Sequence, residues 1–121
     1  RSFIKMNLKE VYYDDSKLTN EKIETYRDLI LRENNRQSFI DRAYVNPKDQ
    51  TSRLKLIQTP TLILWGRQDA WIPVSNSTLF KQLLPNSEVV IMDETGHIPM
   101  EEKPVESLEI VIEFINKNKL S

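Results

Sequence analysis

Cysteine is absent from the 121 residues, which excludes disulfides, thiolate nucleophiles and cysteine-built metal sites, and makes a reducing compartment, the cytoplasm, the expected location. Glycine occurs only at Gly66 and Gly96, so no glycine-rich loop can cradle a phosphate, and neither a nucleotide nor any other cofactor is expected. No apolar run approaches the roughly 20 residues of a bilayer-spanning helix. The longest are residues 62–65 and 89–92. Charge of one sign is lacking too: 17 Lys and Arg face 18 Asp and Glu for a net charge of -1, so nucleic acid and anionic membrane surfaces are not expected partners. The N-terminus has no initiator methionine, apolar signal core or small-residue cleavage site, and the chain is expected to be cut from something longer.

What is present divides near residues 46–52. A chain of this length suits one core, burying roughly two thirds of the surface its unfolded form exposes. In the first part Ile23, Tyr26 and Ile30 recur at helical spacing behind Thr19 and Asn20, either of which can cap a helix near 20–33. A shorter helix around Phe39, Ile40, Ala43 and Tyr44 should end before Asn46-Pro47, and residues 3–13 suggest another. In the second part Pro60 introduces Thr61-Leu62-Ile63-Leu64-Trp65, a buried strand closed by Gly66. Pro73 suits the start of a helix with Leu79, Phe80 and Leu83 on its apolar face. Val89-Val90-Ile91-Met92 makes a second buried strand. Pro104 opens a last helix with Val105, Leu108, Val111, Ile112 and Ile115 facing inward, and Glu101 and Glu102 should favour its N-terminus electrostatically. Strands joined through a helix favour parallel pairing, so the loops at 66–73 and 93–103 should leave the same carboxyl edge of the sheet, where open α/β sheets bind ligands.

Two residues on that edge can carry chemistry. His97 is the only histidine, a possible proton shuttle, although a lone loop histidine is more often a surface or structural residue. Asp69 alone would be a turn former bonding its own backbone. Together they are worth more, because a carboxylate that accepts from one imidazole nitrogen fixes the tautomer and stabilises the imidazolium formed at the other. A metal reading from Glu94, His97 and Glu101 is weak, since one histidine and a glycine-broken helix supply too few ligands. Asn76-Ser77-Thr78 matches a glycosylation sequon but also reads as an ordinary polar helix start.

The stretch from Thr59 through Trp65-Gly66-Arg67-Gln68-Asp69-Ala70-Trp71-Ile72-Pro73 resembles the seventh strand and acid loop of α/β-hydrolases. Gly96-His97-Ile98-Pro99-Met100-Glu101-Glu102-Lys103-Pro104 is similar to the histidine loop after their eighth strand. The resemblance covers residues 54–118. It implies an α/β fold, namely the C-terminal portion of an α/β-hydrolase with two parallel strands and flanking helices (51–121), preceded by a helical cap or lid segment (1–50). It implies Asp69 as triad acid and His97 as general base of a serine-type hydrolase, such as an esterase or a carbon–carbon bond hydrolase, acting on a small molecule. Trp71 either lines the substrate pocket or packs.

The family's nucleophile sits on a Gly-x-Ser-x-Gly elbow, and this sequence contains none, so that residue is expected upstream and the chain alone is expected to be inactive. An apolar strand edge left without its neighbour also makes a homodimer or swapped assembly a possible partnership. The alternative is a non-catalytic binding or oligomerisation module that retains half of the hydrolase fold.

Overall fold

A computed structural model describes residues 2–119, with the side chain of Ser2 excepted; Arg1, Leu120 and Ser121, at the ends of the two expected segments, lie outside the described residues. The first part is helical: α1 (Ser2–Val11), α2 (Asn20–Leu31) and α3 (Asn35–Ala43). Thr19 begins α2 as expected, its hydroxyl accepting from Lys22 N at 3.2 Å, a cap worth about 1 kcal/mol. Asn34, in the left-handed region at φ 67°, separates α2 from α3. Two short 3-10 helices at Asp15–Lys17 and Thr51–Leu56 have no counterpart in the sequence pattern.

The second part alternates β1 (Thr61–Gly66), α4 (Ser75–Leu83), β2 (Ser87–Met92), α5 (Pro99–Glu102) and α6 (Pro104–Lys117). The strands pair in parallel, from Thr61 opposite Ser87 to Gly66 opposite Met92. Both therefore end on one edge, and the loops that follow leave it together. These loops are stitched to each other: Arg67 N donates to Met92 O, Gln68 N to Thr95 O, each at 2.9 Å, and Thr95 N donates to Gln68 Oε1 at 3.1 Å. Thr95 is fully buried as a result.

Packing is concentrated where the helical part meets the histidine loop. Leu8, Val11, Tyr12 and Ile23 form the buried cluster, and Ile98 from the histidine loop packs against it. Each fully buried aliphatic side chain contributes about 1.5–3 kcal/mol, so this junction is the best-supported part of the molecule. The two glycines make the close approach possible. A Cβ on Gly66 would sit 1.9 Å from Gly96 O, and one on Gly96 would sit 2.4 Å from Val11 O.

The helices of the second part depart from expectation. On α6, Val105 is 69% exposed and Leu108 57%, and Ile112 and Ile115 are exposed as well; on α4, Leu79 and Phe80 are exposed. The apolar stripes are present but not covered. Among the described residues only one sheet of two strands, about 4.8 Å apart, is there to face these helices, and it leaves much of each stripe without cover. The strands share this shortfall: only Ile63 and Met92 among their large apolar residues are buried, the others being half-buried. No helix among the described residues is long and apolar enough to cross a membrane.

Candidate active site

Asp69 follows β1 by three residues and His97 follows β2 by five, and the shared edge brings them together: His97 Nδ1 lies 2.9 Å from Asp69 Oδ2. The carboxylate is held from both sides. Its Oδ1 accepts from Trp71 N and Ile72 N, each at 2.9 Å, so one oxygen closes the turn while the other faces the imidazole. Turn forming and histidine pairing, set against each other as readings of the sequence, coexist because a carboxylate has two oxygens. The Asp69 side chain is 4% exposed and that of His97 29%. A carboxylate only accepts, so Nδ1 is the nitrogen that carries the proton, and in the neutral imidazole Nε2 is left with its lone pair. Among the described residues Nε2 has no hydrogen-bond partner. The arrangement can take a proton at Nε2 and stabilise the resulting cation through Asp69.

His97 separates two cavities. The smaller, about 140 Å³, is bordered by Leu64, Gly66, Asp69 and Pro99 at the end of β1. The larger, about 810 Å³, lies between the helical part and the histidine loop, with walls that include Leu8, Val11, Ile30, Phe39 and Ile40. Trp71 borders this larger cavity, half exposed, with its ring 5.3 Å from that of His97. Asn35 and Arg36, which carry no chemical signal in the sequence, also face it.

Glu101 and Glu102 do something the sequence did not suggest. Besides standing just before α6, they tie the helical part to the histidine loop. Glu102, only 3% exposed, accepts from Gly96 N at 2.7 Å through Oε1 and from Tyr13 N at 2.9 Å through Oε2. Glu101 accepts from the Tyr26 hydroxyl at 2.6 Å through Oε1 and from the Tyr12 hydroxyl through Oε2. The backbone joins in, with His97 N donating to Val11 O at 2.8 Å and Lys17 Nζ to Glu102 O at 2.7 Å. Burial first, then the hydrogen bond to Glu101 and its negative charge, pushes the Tyr26 phenol up to about 12 and that of Tyr12 further still. The available signal was the adjacency of two carboxylates four and five residues after the lone histidine. It was absorbed by the helix-start reading because Pro104 follows so closely.

Among the described residues no group of three or more histidines and carboxylates is placed to hold a metal ion. Residues 3–104 match the family described as the alpha/beta hydrolase fold. The chain is 34% identical over 107 residues to 2-hydroxy-6-oxononadienedioate/2-hydroxy-6-oxononatrienedioate hydrolase 2 of Pseudomonas putida, a match covering 85% of this chain and 37% of that protein. It is 27% identical over 84 residues to monoacylglycerol lipase ABHD6 of Mus musculus, covering 64% of this chain and 25% of the lipase. A meta-cleavage product hydrolase from Pseudomonas fluorescens superposes with a TM-score of 0.81 at 22% identity over 96% of this chain and 45% of its own, a likeness of fold. The chain spans about two fifths of the length of the hydrolases that head these relatives.

Proposed function

The chain belongs to the α/β-hydrolase family, and from that membership we propose that it supplies the acid, Asp69, and the general base, His97, of a serine-type hydrolase working in the cytoplasm. The nucleophile would come from residues outside this sequence, and the chain alone would be inactive. On this reading residues 1–50 are the cap and 51–121 the last part of the catalytic core, and Trp71 belongs to the substrate pocket. The observation that supports it is the 2.9 Å pair itself, with Nε2 unengaged beside a cavity large enough for a small-molecule substrate. Its acceptor-only carboxylate holds the imidazole in the tautomer that a hydroxyl nucleophile needs. Carbon–carbon and ester hydrolysis both fit, and the relatives include a 2-hydroxy-6-oxononadienedioate hydrolase and a monoacylglycerol lipase.

A second reading, a non-catalytic module that assembles with itself, is favoured by the uncovered faces of α6 and α4 and by the free edges of a two-stranded sheet. Kinetics on the gene product that contains this chain separates the two. The hydrolase reading expects turnover of a chromogenic ester, with Asp69→Asn lowering kcat about 10⁴-fold through the wrong tautomer. Unchanged turnover in that variant rejects the role of Asp69, and a wild-type product with no hydrolytic activity favours the assembly reading.

A further inference from the structure

The residue before His97 is a glycine of necessity, and the necessity has a cost. A Cβ at position 96 would stand 2.4 Å from Val11 O and 2.8 Å from Tyr13 N, so only glycine lets the histidine loop reach the end of α1. Glycine also has the widest choice of φ and ψ, and an imidazole hinged on it would not hold a fixed direction unaided. Glu102 removes that freedom. Its Oε1 accepts from Gly96 N at 2.7 Å, while its Oε2 accepts from Tyr13 N at 2.9 Å and from Asp14 N at 3.4 Å. A carboxylate only 3% exposed is costly to bury, and the charge-assisted bonds from these N–H groups offset that cost. The chain on either side of Gly96 is pinned as well, Thr95 N to Gln68 Oε1 at 3.1 Å and His97 N to Val11 O at 2.8 Å. Three successive N–H groups each have a partner, and the middle one depends on Glu102.

We propose that Glu102 is a positioning residue for the general base: through the Gly96 peptide it holds the His97 imidazole at its 2.9 Å contact with Asp69, and it makes that contact depend on the end of α1. The word base rests on the hydrolase reading; the placement of the ring does not. Both oxygens of Glu102 bond backbone N–H groups, so its action reaches the ring through the main chain. The carboxylate is needed as such. All its partners are donors, and a carboxamide would offer them one acceptor oxygen and an NH2 group that meets donors only.

Glu102→Gln in the full chain tests this by nuclear magnetic resonance with the ring neutral. The Gly96 amide proton should move upfield, and His97 should lose part of its Nδ1-protonated form as the imidazole drifts from Asp69. Ile23→Ala is the comparison: it opens a cavity in the buried cluster of the same junction and lowers stability, but should leave both signals in place. A wild-type tautomer in Glu102→Gln overturns the proposal, and so does an equal loss in Ile23→Ala, which would make the effect one of stability alone. Should Glu102→Gln fail to fold, the wild type decides. A coupling across the hydrogen bond, from the Gly96 nitrogen to the Glu102 carboxylate carbon, is expected there, and its absence overturns the proposal. In the gene product that contains this chain, Glu102→Gln should lower kcat by up to about 100-fold with KM unchanged, the effect of a reacting group displaced by about 1 Å. A raised KM at unchanged kcat overturns the proposal too. Loss of the hydrolase reading would show as unchanged turnover in Asp69→Asn while the Glu102→Gln signals still moved. Failure of the positioning role would show as lost turnover in Asp69→Asn with the His97 signals of Glu102→Gln unmoved.

Discussion

Single atoms decide how His97 is held. Nδ1 is fixed by Asp69, the main-chain N–H by Val11 O, and the preceding Gly96 N–H by Glu102 Oε1. If Nδ1 carries the proton, the nitrogen chemical shifts of the only imidazole in the chain should report the Nδ1-protonated neutral tautomer, and Asp69→Asn should shift it toward the other form. An Nε2-protonated ring in the wild type would reject the pairing. Glu102→Ala strands the buried N–H of Gly96 and the part-buried N–H groups of Tyr13 and Asp14, each of which loses a charge-assisted partner, and should cost about 3 kcal/mol in chemical unfolding. Gly96→Ala drives a Cβ to 2.4 Å from Val11 O, backbone against backbone, and should cost as much or more. A change below about 0.5 kcal/mol in either variant would mean the loop relaxes freely and that these contacts do not position it. Asp69 and His97 were legible as a pair because their neighbours in sequence announce strand ends. Glu102 was not, because two of the three backbone groups it accepts from, Tyr13 N and Asp14 N, lie 89 and 88 residues away, and such partners leave no trace in local composition.

Between elements, the joint of the helical part with the histidine loop is built from α1, α2 and α5, and its polar half is the carboxylate of Glu101 between two phenols. The joint predicts its own alkaline limit. Tyr26 titrates near 12 in the folded chain against 10.0 when free, so its contribution is complete below pH 10 and is lost as pH climbs through about 12. Tyr12 is raised further by the same causes, burial foremost. The tyrosinate absorbance of Tyr26 should therefore appear only as pH approaches about 12, and that of Tyr12 later still. Glu101→Gln should advance the deferred pair without returning it to 10, since burial remains. Ionisation of Tyr12 and Tyr26 near the free value of 10.0 in the wild type would show the joint to be open. Helices α1, α2 and α3 and both strands were readable from periodicity, proline and capping residues, because those signals are local. The short α5 was missed for the opposite reason: its four residues are shaped by Pro99 and by the clamp.

At the scale of the molecule, inward and outward follow from what the fold supplies as cover, and here sequence pattern and structure part. Val105, Leu108 and Ile112 have the spacing of a buried stripe, yet all three are exposed on α6, as are Phe39 and Tyr44 at the end of the helical part. The pattern is a correct record of an apolar face; what it cannot record is how wide the facing sheet is. Two strands leave that face open, and exposed apolar patches of this kind drive association. The chain should therefore self-associate, giving a sedimentation coefficient that rises with concentration. Leu108→Lys with Ile112→Lys should return it toward monomer, whereas Phe39→Lys should have a smaller effect if α6 and not the cavity rim is the contact. A single sedimenting species whose coefficient does not change with concentration in the wild type would rule out the assembly. Monomer recovery by Phe39→Lys alone would move the contact to the cavity mouth, where it would compete with any ligand for the same walls.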